Sequence, residues 1–158
     1  MARAARACRP DRATLLPASA VPLASRRHPV LPAQHRLRLR EEHRAVVRRG
    51  ARASAGQLSA LVLLAAPGPS LRAATDPVQV GFTVGRAVGS AVVRNQVRRR
   101  LRALAAHRLM TLPVGCLVVV RAGAGVAELG YDELGRQLDS ALSGALARAR
   151  RTRPGRPR

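Results

Sequence analysis

The sequence predicts a small α/β fold in which about three helices cover one sheet, and three observations carry that prediction. Apolar spacing changes along the chain from helical to strand-like and back. Pro and Gly clusters stand between the periodic segments. The resulting order is helix, strands, helix, strand, helix, which gives each amphipathic helix a sheet to cover. The 158 residues fit one domain with ragged ends.

The first helix is read in Arg40-Glu-Glu-His-Arg-Ala-Val-Val-Arg-Arg49, a run of good helix formers, with Gly50 expected as its C′ stop. Leu58-Ser-Ala-Leu-Val-Leu-Leu-Ala65 is an apolar run of strand length closed by the turn cluster Pro67-Gly-Pro69. Val78-Gln-Val-Gly-Phe-Thr-Val84 alternates with period two and reads as a second strand, while a further short strand near Ala51–Ser54 stays open. After Gly89 the period becomes helical and runs through Leu109, with Ser90 placed to cap it. Pro113 ends that helix, and Gly115-Cys-Leu-Val-Val-Val-Arg121 reads as a buried strand. In the last helix, Tyr131 to Leu146, Leu134, Leu138, Leu142 and Leu146 recur at spacing four. Asp132 and Glu133 occupy its first turn, where the helix dipole favours acids.

Charge limits the partners. The chain has 29 Lys+Arg, every one of them arginine, against 8 Asp+Glu, for a formal net charge of +21. Such an excess repels itself in a compact state unless a polyanion neutralises it, which makes nucleic acid the leading partner class. An anionic membrane is the weaker candidate, because one Phe, one Tyr and no Trp leave little to anchor with. No stretch approaches the roughly 18 apolar residues of a membrane span, and Pro17 and Pro22 interrupt the apolar stretch that could imitate a secretion signal. Cys8 and Cys116 form no disulfide framework and suit a reducing compartment, so a cytoplasmic location is expected. The excess divides as +5 over residues 1–29, +13 over 30–125 and +3 over 126–158. Residues 1–29 are expected as a disordered extension or as sequence ahead of a true start at Val30. Residues 30–148 are expected as the nucleic-acid-binding domain and 149–158 as a disordered basic tail.

The most informative stretch is Ala91-Val-Val-Arg-Asn-Gln-Val-Arg-Arg-Arg-Leu-Arg102. At about 100° per residue, Val93, Val97, Leu101 and Leu104 share one stripe, whereas Arg94, Arg98 and Arg102 form a ridge flanked by Asn95 and Arg99. Like charges at i, i+4 cost about 0.2–0.5 kcal/mol per pair in an isolated helix, and no acid between Ala91 and Leu109 relieves them. Arginine grips phosphate in bidentate fashion, and Asn95 both donates and accepts towards a phosphate, a 2′-OH or a base edge. Solvated helix faces normally mix signs, so this one reads as a nucleic-acid face. The pattern leaves RNA and DNA open, since a helix of this type also fits a DNA major groove.

The whole stretch Val80-Gly-Phe-Thr-Val-Gly-Arg-Ala-Val-Gly-Ser-Ala-Val-Val-Arg-Asn-Gln-Val-Arg-Arg-Arg-Leu-Arg102 resembles the signature of the bacterial ribonuclease P protein component family. The likeness extends over about residues 30–148, from His35-Arg-Leu37 through Glu42 to Gly50, Leu117 to Arg121 and Tyr131 to Leu146. It implies a two-layer α+β sandwich with a small mixed sheet in the order α-β-β-(β)-α-β-α and a left-handed β-α-β crossover. The implied role is that of the protein subunit of an endoribonuclease holoenzyme, with no protein active site. A catalytic RNA, with Mg²⁺ bound mainly by that RNA, removes the 5′ leader of precursor tRNA. The implied partners are ribonuclease P RNA, one per protein, and precursor tRNA. A general or ribosome-associated RNA-binding protein is the alternative.

Carried onto this chain, the resemblance assigns RNA binding to Arg86, Arg94, Asn95, Arg98, Arg99, Arg100 and Arg102. Gln96 departs from the family's Arg-Asn-Arg motif, and Ala87 from its paired lysines. A cleft between the first helix and the sheet is implied for the leader, with Arg36, His43, Val47, Phe82 and Tyr131 as its candidate residues. His43 and Val47 stand where the family often has aromatics, which weakens stacking. Phe82 and Tyr131 read equally as core packing.

Other chemistry finds no support. The eight acids form no spaced pair of the kind general acid–base catalysis uses. His28, His35, His43 and His107 lack metal-ligand spacing, and Cys116 in an apolar strand reads as buried and inert. Gly81, Gly85 and Gly89 make neither a dinucleotide fingerprint nor a P-loop.

Overall fold

The computed structural model describes residues 31–65, 73 and 75–152. Its order is α1 (Arg40–Arg49), β1 (Ala51–Ala55), β2 (Leu58–Leu63), β3 (Gln79–Val84), α2 (Ala91–Ala106), β4 (Leu117–Ala122) and α3 (Tyr131–Thr152). The strands form one mixed sheet in the order β1-β2-β4-β3. β2 is antiparallel to both β1 and β4, whereas β3 runs parallel to β4. A parallel pair needs a long crossover, and α2 supplies it.

The expected element order is therefore present, including the strand at 51–55. That strand is weakly written because Ala-Arg-Ala-Ser-Ala has little β propensity. Tertiary packing makes it a strand: Ala53 is buried, and a Cβ at Gly144 of α3 would lie 3.0 Å from the Ala53 Cβ. Small residues on both sides let α3 approach closely.

Both sheet faces are used. Leu58, Ala60, Val62, Val80, Val84, Val118 and Val120 face α2 and α3, forming the main core with Val97, Leu101, Leu104, Leu134 and Leu138. The alternate residues Leu61, Leu117 and Val119 turn the other way and pack against Val46 of α1. The sandwich of sheet and helices thus has α2 and α3 on one face, while α1 covers part of the other. Val118, Val119 and Val120 are each 0% exposed, as a strand covered on both faces requires.

Boundaries differ from expectation at three places. Gly50 ends α1 at φ −70°, ψ 140°, so no left-handed stop exists there. The glycine is needed for space, because a Cβ would lie 2.4 Å from the Val46 carbonyl oxygen. α2 ends at Ala106 rather than Leu109. The chain then turns through a 3₁₀ segment, Leu109–Thr111, and Arg108 leaves the helix to bind Asp139 of α3. Its Nη2 donates to Asp139 Oδ2 at 2.7 Å and its Nη1 to the Leu104 carbonyl at 2.8 Å. The Asp139 hydrogen bond raises the Arg108 guanidinium above its ordinary range, with partial burial opposing. α3 continues past its expected end at Leu146 through Thr152, with Ala149 buried and the Thr152 hydroxyl donating to the Arg148 carbonyl at 2.9 Å. The expected extension at 1–29, the turn at Pro67-Gly-Pro69 and residues 153–158 lie outside the described residues.

Ser90 caps α2 as expected, its Oγ accepting from the Val93 N–H at 3.5 Å. Because Leu138 is 0% exposed at the contact between α3 and the sheet, Leu138→Ala is expected to cost about 2–5 kcal/mol. Urea denaturation measures it, as a lower midpoint at unchanged slope.

Candidate nucleic-acid interface

α2 lies beside β3, an edge strand, and the segment before α1 runs along the outside of that edge. Arg36 bridges to Val80 in parallel, and the Leu37 N–H donates to the Val80 carbonyl at 3.2 Å. His35 Nδ1 donates to the Val78 carbonyl at 2.7 Å and Arg36 Nε to the Leu31 carbonyl at 2.9 Å, which fixes the segment. Gly81 gives Leu37 room, since a Cβ there would meet the Leu37 side chain at 3.0 Å.

This docking creates an open cleft of about 300 Å³ lined by Arg36, Arg38, Arg98 and Arg102, with Leu31, Leu37, Val80, Gly81 and Phe82 as its apolar floor. Four cations from two segments distant in sequence face it, and among the described residues no acid does. Arg94 lies one turn earlier on the same flank, and its Nε is buried without a hydrogen-bond partner.

The arginines of α2 do not form one bare face. Arg98 and Arg102 turn to the cleft at the β3 edge. Arg100 goes to the opposite flank, where its Nη1 donates to the Leu129 carbonyl at 3.3 Å. The outermost stripe is Val92, Asn95, Gln96 and Arg99, which line a shallow open groove. Arg86 is exposed in the 3₁₀ turn Arg86–Val88 that leads into α2.

On the other sheet face, a cleft of about 240 Å³ separates α1 from β3 and β4, lined by His43, Arg44, Val47, Arg48, Thr83 and Arg121. His43 Nε2 lies 3.2 Å from Thr83 Oγ1 and ties the helix to the strand. The five leader-cleft candidates consequently separate. His43 and Val47 share this cleft, and Arg36 and Phe82 belong to the four-arginine cleft. Tyr131 lines neither and heads α3 on the helix-covered side, near Arg108. Register explains Phe82: it pairs with Val120, whose side chain faces α2 and α3.

Sequence reasoning passed over Arg38, Arg44, Arg48, Thr83 and Arg121. For Arg121 a signal was available, because it breaks the apolar alternation Leu117, Val119 at the next same-face position. Arg38 had none, since its neighbours in space come from α2. Among the described residues no three His, Cys, Asp or Glu side chains cluster as metal ligands. No helix of the described residues is long and apolar enough to cross a membrane.

Comparison with known proteins gives one consistent result. A family model described as Ribonuclease P matches residues 31–146. The ribonuclease P protein component of Streptomyces bikiniensis is 46% identical over 114 residues, covering 72% of this chain and 93% of that protein. The corresponding protein of Thermobifida fusca is 43% identical over 113 residues, covering 72% and 77%. Among solved structures, the RNase P protein of Staphylococcus aureus has a TM-score of 0.58 at 15% identity, covering 73% of this chain and 96% of its own. That of Thermotoga maritima has a TM-score of 0.55 at 20% identity, with the same coverages of 73% and 96%. At those identities the two structures establish the likeness of fold.

The bond between His43 and Thr83 holds α1 at its cleft. Thr83→Val keeps the shape and removes the partner, so it is expected to loosen α1 by about 0.5–1.5 kcal/mol. Hydrogen exchange reads this as faster exchange of the α1 amides, with α3 amides unchanged.

Proposed function

The chain belongs to the ribonuclease P protein family, and from that premise we propose how its surfaces serve the tRNA-processing endoribonuclease of which it is the RNA-binding protein component. One observation carries the reading: the acid-free cleft where Arg36 and Arg38 meet Arg98 and Arg102. Four guanidiniums converging without a carboxylate repel one another, and a phosphate backbone removes that cost while accepting bidentate hydrogen bonds. In this proposal the cleft and the adjoining Arg94, whose buried Nε would gain a partner, grip the backbone of ribonuclease P RNA. Asn95 and Arg99 on the outer stripe of α2 and Arg86 in the turn before it extend that contact, and Arg100 adds charge on the far flank.

The cleft under α1 holds the single-stranded 5′ leader of precursor tRNA. Arg121, Arg44 and Arg48 supply charge there, Val47 an apolar wall, and His43 and Thr83 hydrogen-bonding groups. A leader bound here strengthens the hold on precursor and does nothing for product, which has no leader. The protein thereby adds discrimination while the RNA performs the cleavage. Mg²⁺ is assigned to the RNA side of the holoenzyme, where it supplies charge stabilisation for phosphodiester hydrolysis. The compartment proposed is the cytoplasm, with one protein on one catalytic RNA. Phe82, half-buried against the main core, is assigned to packing, and Tyr131, exposed at the head of α3, is assigned no contact with the leader. A general RNA-binding role is not favoured, because the family match spans both the basic helix and the α1 cleft.

Reconstitution tests this directly. Adding the chain to a ribonuclease P RNA at low Mg²⁺ is expected to stimulate leader removal, and no stimulation overturns the reading. Replacing Arg94, Arg98 and Arg102 by Ala is expected to flatten the plot of log affinity for that RNA against log salt. Each lost contact should lower the slope by about 0.7–0.9. A slope equal to wild type would remove this flank of α2 from the interface.

A further inference from the structure

We propose that Arg108 and Asp139 are a positioning pair for RNA binding: their ion pair fixes the roll of α2 on the sheet and so holds Arg98 and Arg102 where a phosphate backbone can use them. The proposal rests on the reading of the four-arginine cleft as a grip on the RNA subunit.

The pair is closely built. The Arg108 guanidinium engages both carboxylate oxygens of Asp139, Nη2 donating to Oδ2 at 2.7 Å and Nε donating to Oδ1. Its Nη1 donates at 2.8 Å to the carbonyl of Leu104, in the last turn of α2. Its Nη2 also donates to the Gly135 carbonyl of α3 at 3.5 Å. Gly135 leaves room for this, because a Cβ there would lie 3.3 Å from Arg108 Nη2 and 3.5 Å from Leu104 Cδ2. One side chain thus ties the end of α2 to the body of α3. Two-pronged geometry and a guanidinium side chain only 20% exposed set it apart from the loose surface pairs that contribute little.

Charge explains why α2 needs such a tie. Arg98 and Arg102 share the cleft with Arg36 and Arg38, and no acid lines it among the described residues. Before RNA arrives, rolling α2 or lifting it from the sheet would spread these like charges and lower their repulsion. The buried stripe of Val97, Leu101 and Leu104 resists lifting, but apolar contact is non-directional and constrains roll weakly. Directional bonds lock the roll. Arg100, donating to the Leu129 carbonyl at 3.3 Å, and Arg108, bound to Asp139, supply them, and neither arginine lines the cleft.

A carboxylate this close to an RNA-binding helix repels the phosphate backbone, which gives the proposal a sign of its own. Asp139→Asn adds one unit to the net positive charge, so by charge alone it should tighten RNA binding. Loss of positioning should weaken it.

The test uses the full chain and a ribonuclease P RNA. Dissociation constants are measured across a salt series at a temperature where circular dichroism shows every variant folded. Asp139→Asn is expected to bind about 3–10-fold more weakly at each salt concentration, the range of one partly solvated charge-assisted bond. The slope of log affinity against log salt should match wild type, because the number of phosphate contacts is the same. Arg108→Lys keeps the charge, loses the two-pronged geometry and should repeat the loss. In an Arg98→Ala, Arg102→Ala background, Asp139→Asn should cost less than about 2-fold, because the cations it positions are gone. Binding by Asp139→Asn that equals or exceeds wild type overturns the proposal. So does an equal cost in both backgrounds, which would mean that the pair supports the fold alone. Failure of the cleft reading itself would appear elsewhere, as wild-type affinity and slope in Arg36→Ala, Arg38→Ala.

Discussion

β4 is buried on both faces and paired on both edges, antiparallel to β2 and parallel to β3, and the other elements are arranged by that fact. Burial on two faces calls for helices on two faces, so α1 must lie opposite α2 and α3. A parallel neighbour calls for a crossover, so α2 must run back from the end of β3 to the start of β4. Because β3 is the edge, the helix that makes the crossover lies beside an exposed margin. The segment before α1 closes that margin through Arg36 and Leu37. The four-arginine cleft follows from this strand order: it exists because an edge strand brings residues 36–38 to residues 98–102.

The cations of the domain fall into two kinds. Arg108 is bound to Asp139 and to the Leu104 carbonyl, and there it joins α2 to α3. Arg148 likewise donates to the Arg52 carbonyl and fastens α3 to β1. Arg36, Arg38, Arg98, Arg102 and Arg121 have no carboxylate beside them among the described residues. Asp139 is placed where two helices meet, and no acid lines either of the two arginine-bearing clefts among the described residues. This is the arrangement that unites a stable core with a surface left unneutralised until a polyanion arrives.

Much of this was legible beforehand. The spacing of Leu134, Leu138 and Leu142 gave α3 its buried face, and the valines of β4 announced a strand covered on both sides. Ser90 marked the start of α2. Other features were hidden. β1 is alanine-rich and becomes a strand through contact with Gly144. Gly50 matters for its missing Cβ next to Val46, which no local pattern reveals. A helical wheel put Arg94, Arg98 and Arg102 on one ridge, but it could not say that the ridge would turn towards Arg36 and Arg38. Nor could it say that Arg100 would turn away.

The sequence by itself determined the order of elements, the partner class and the family. Periodicity, charge and a contiguous motif are all written within short windows of residues. Only the tertiary structure decided which residues share a surface. His43 and Val47 meet Thr83 and Arg121 because alternation in β3 and β4 points those two towards α1. The same alternation sends Phe82 to the opposite face, and Tyr131 is carried there by α3. Face and register are set by pairing between strands far apart in the chain. A shift of one residue would reverse them, and no local spacing encodes that choice.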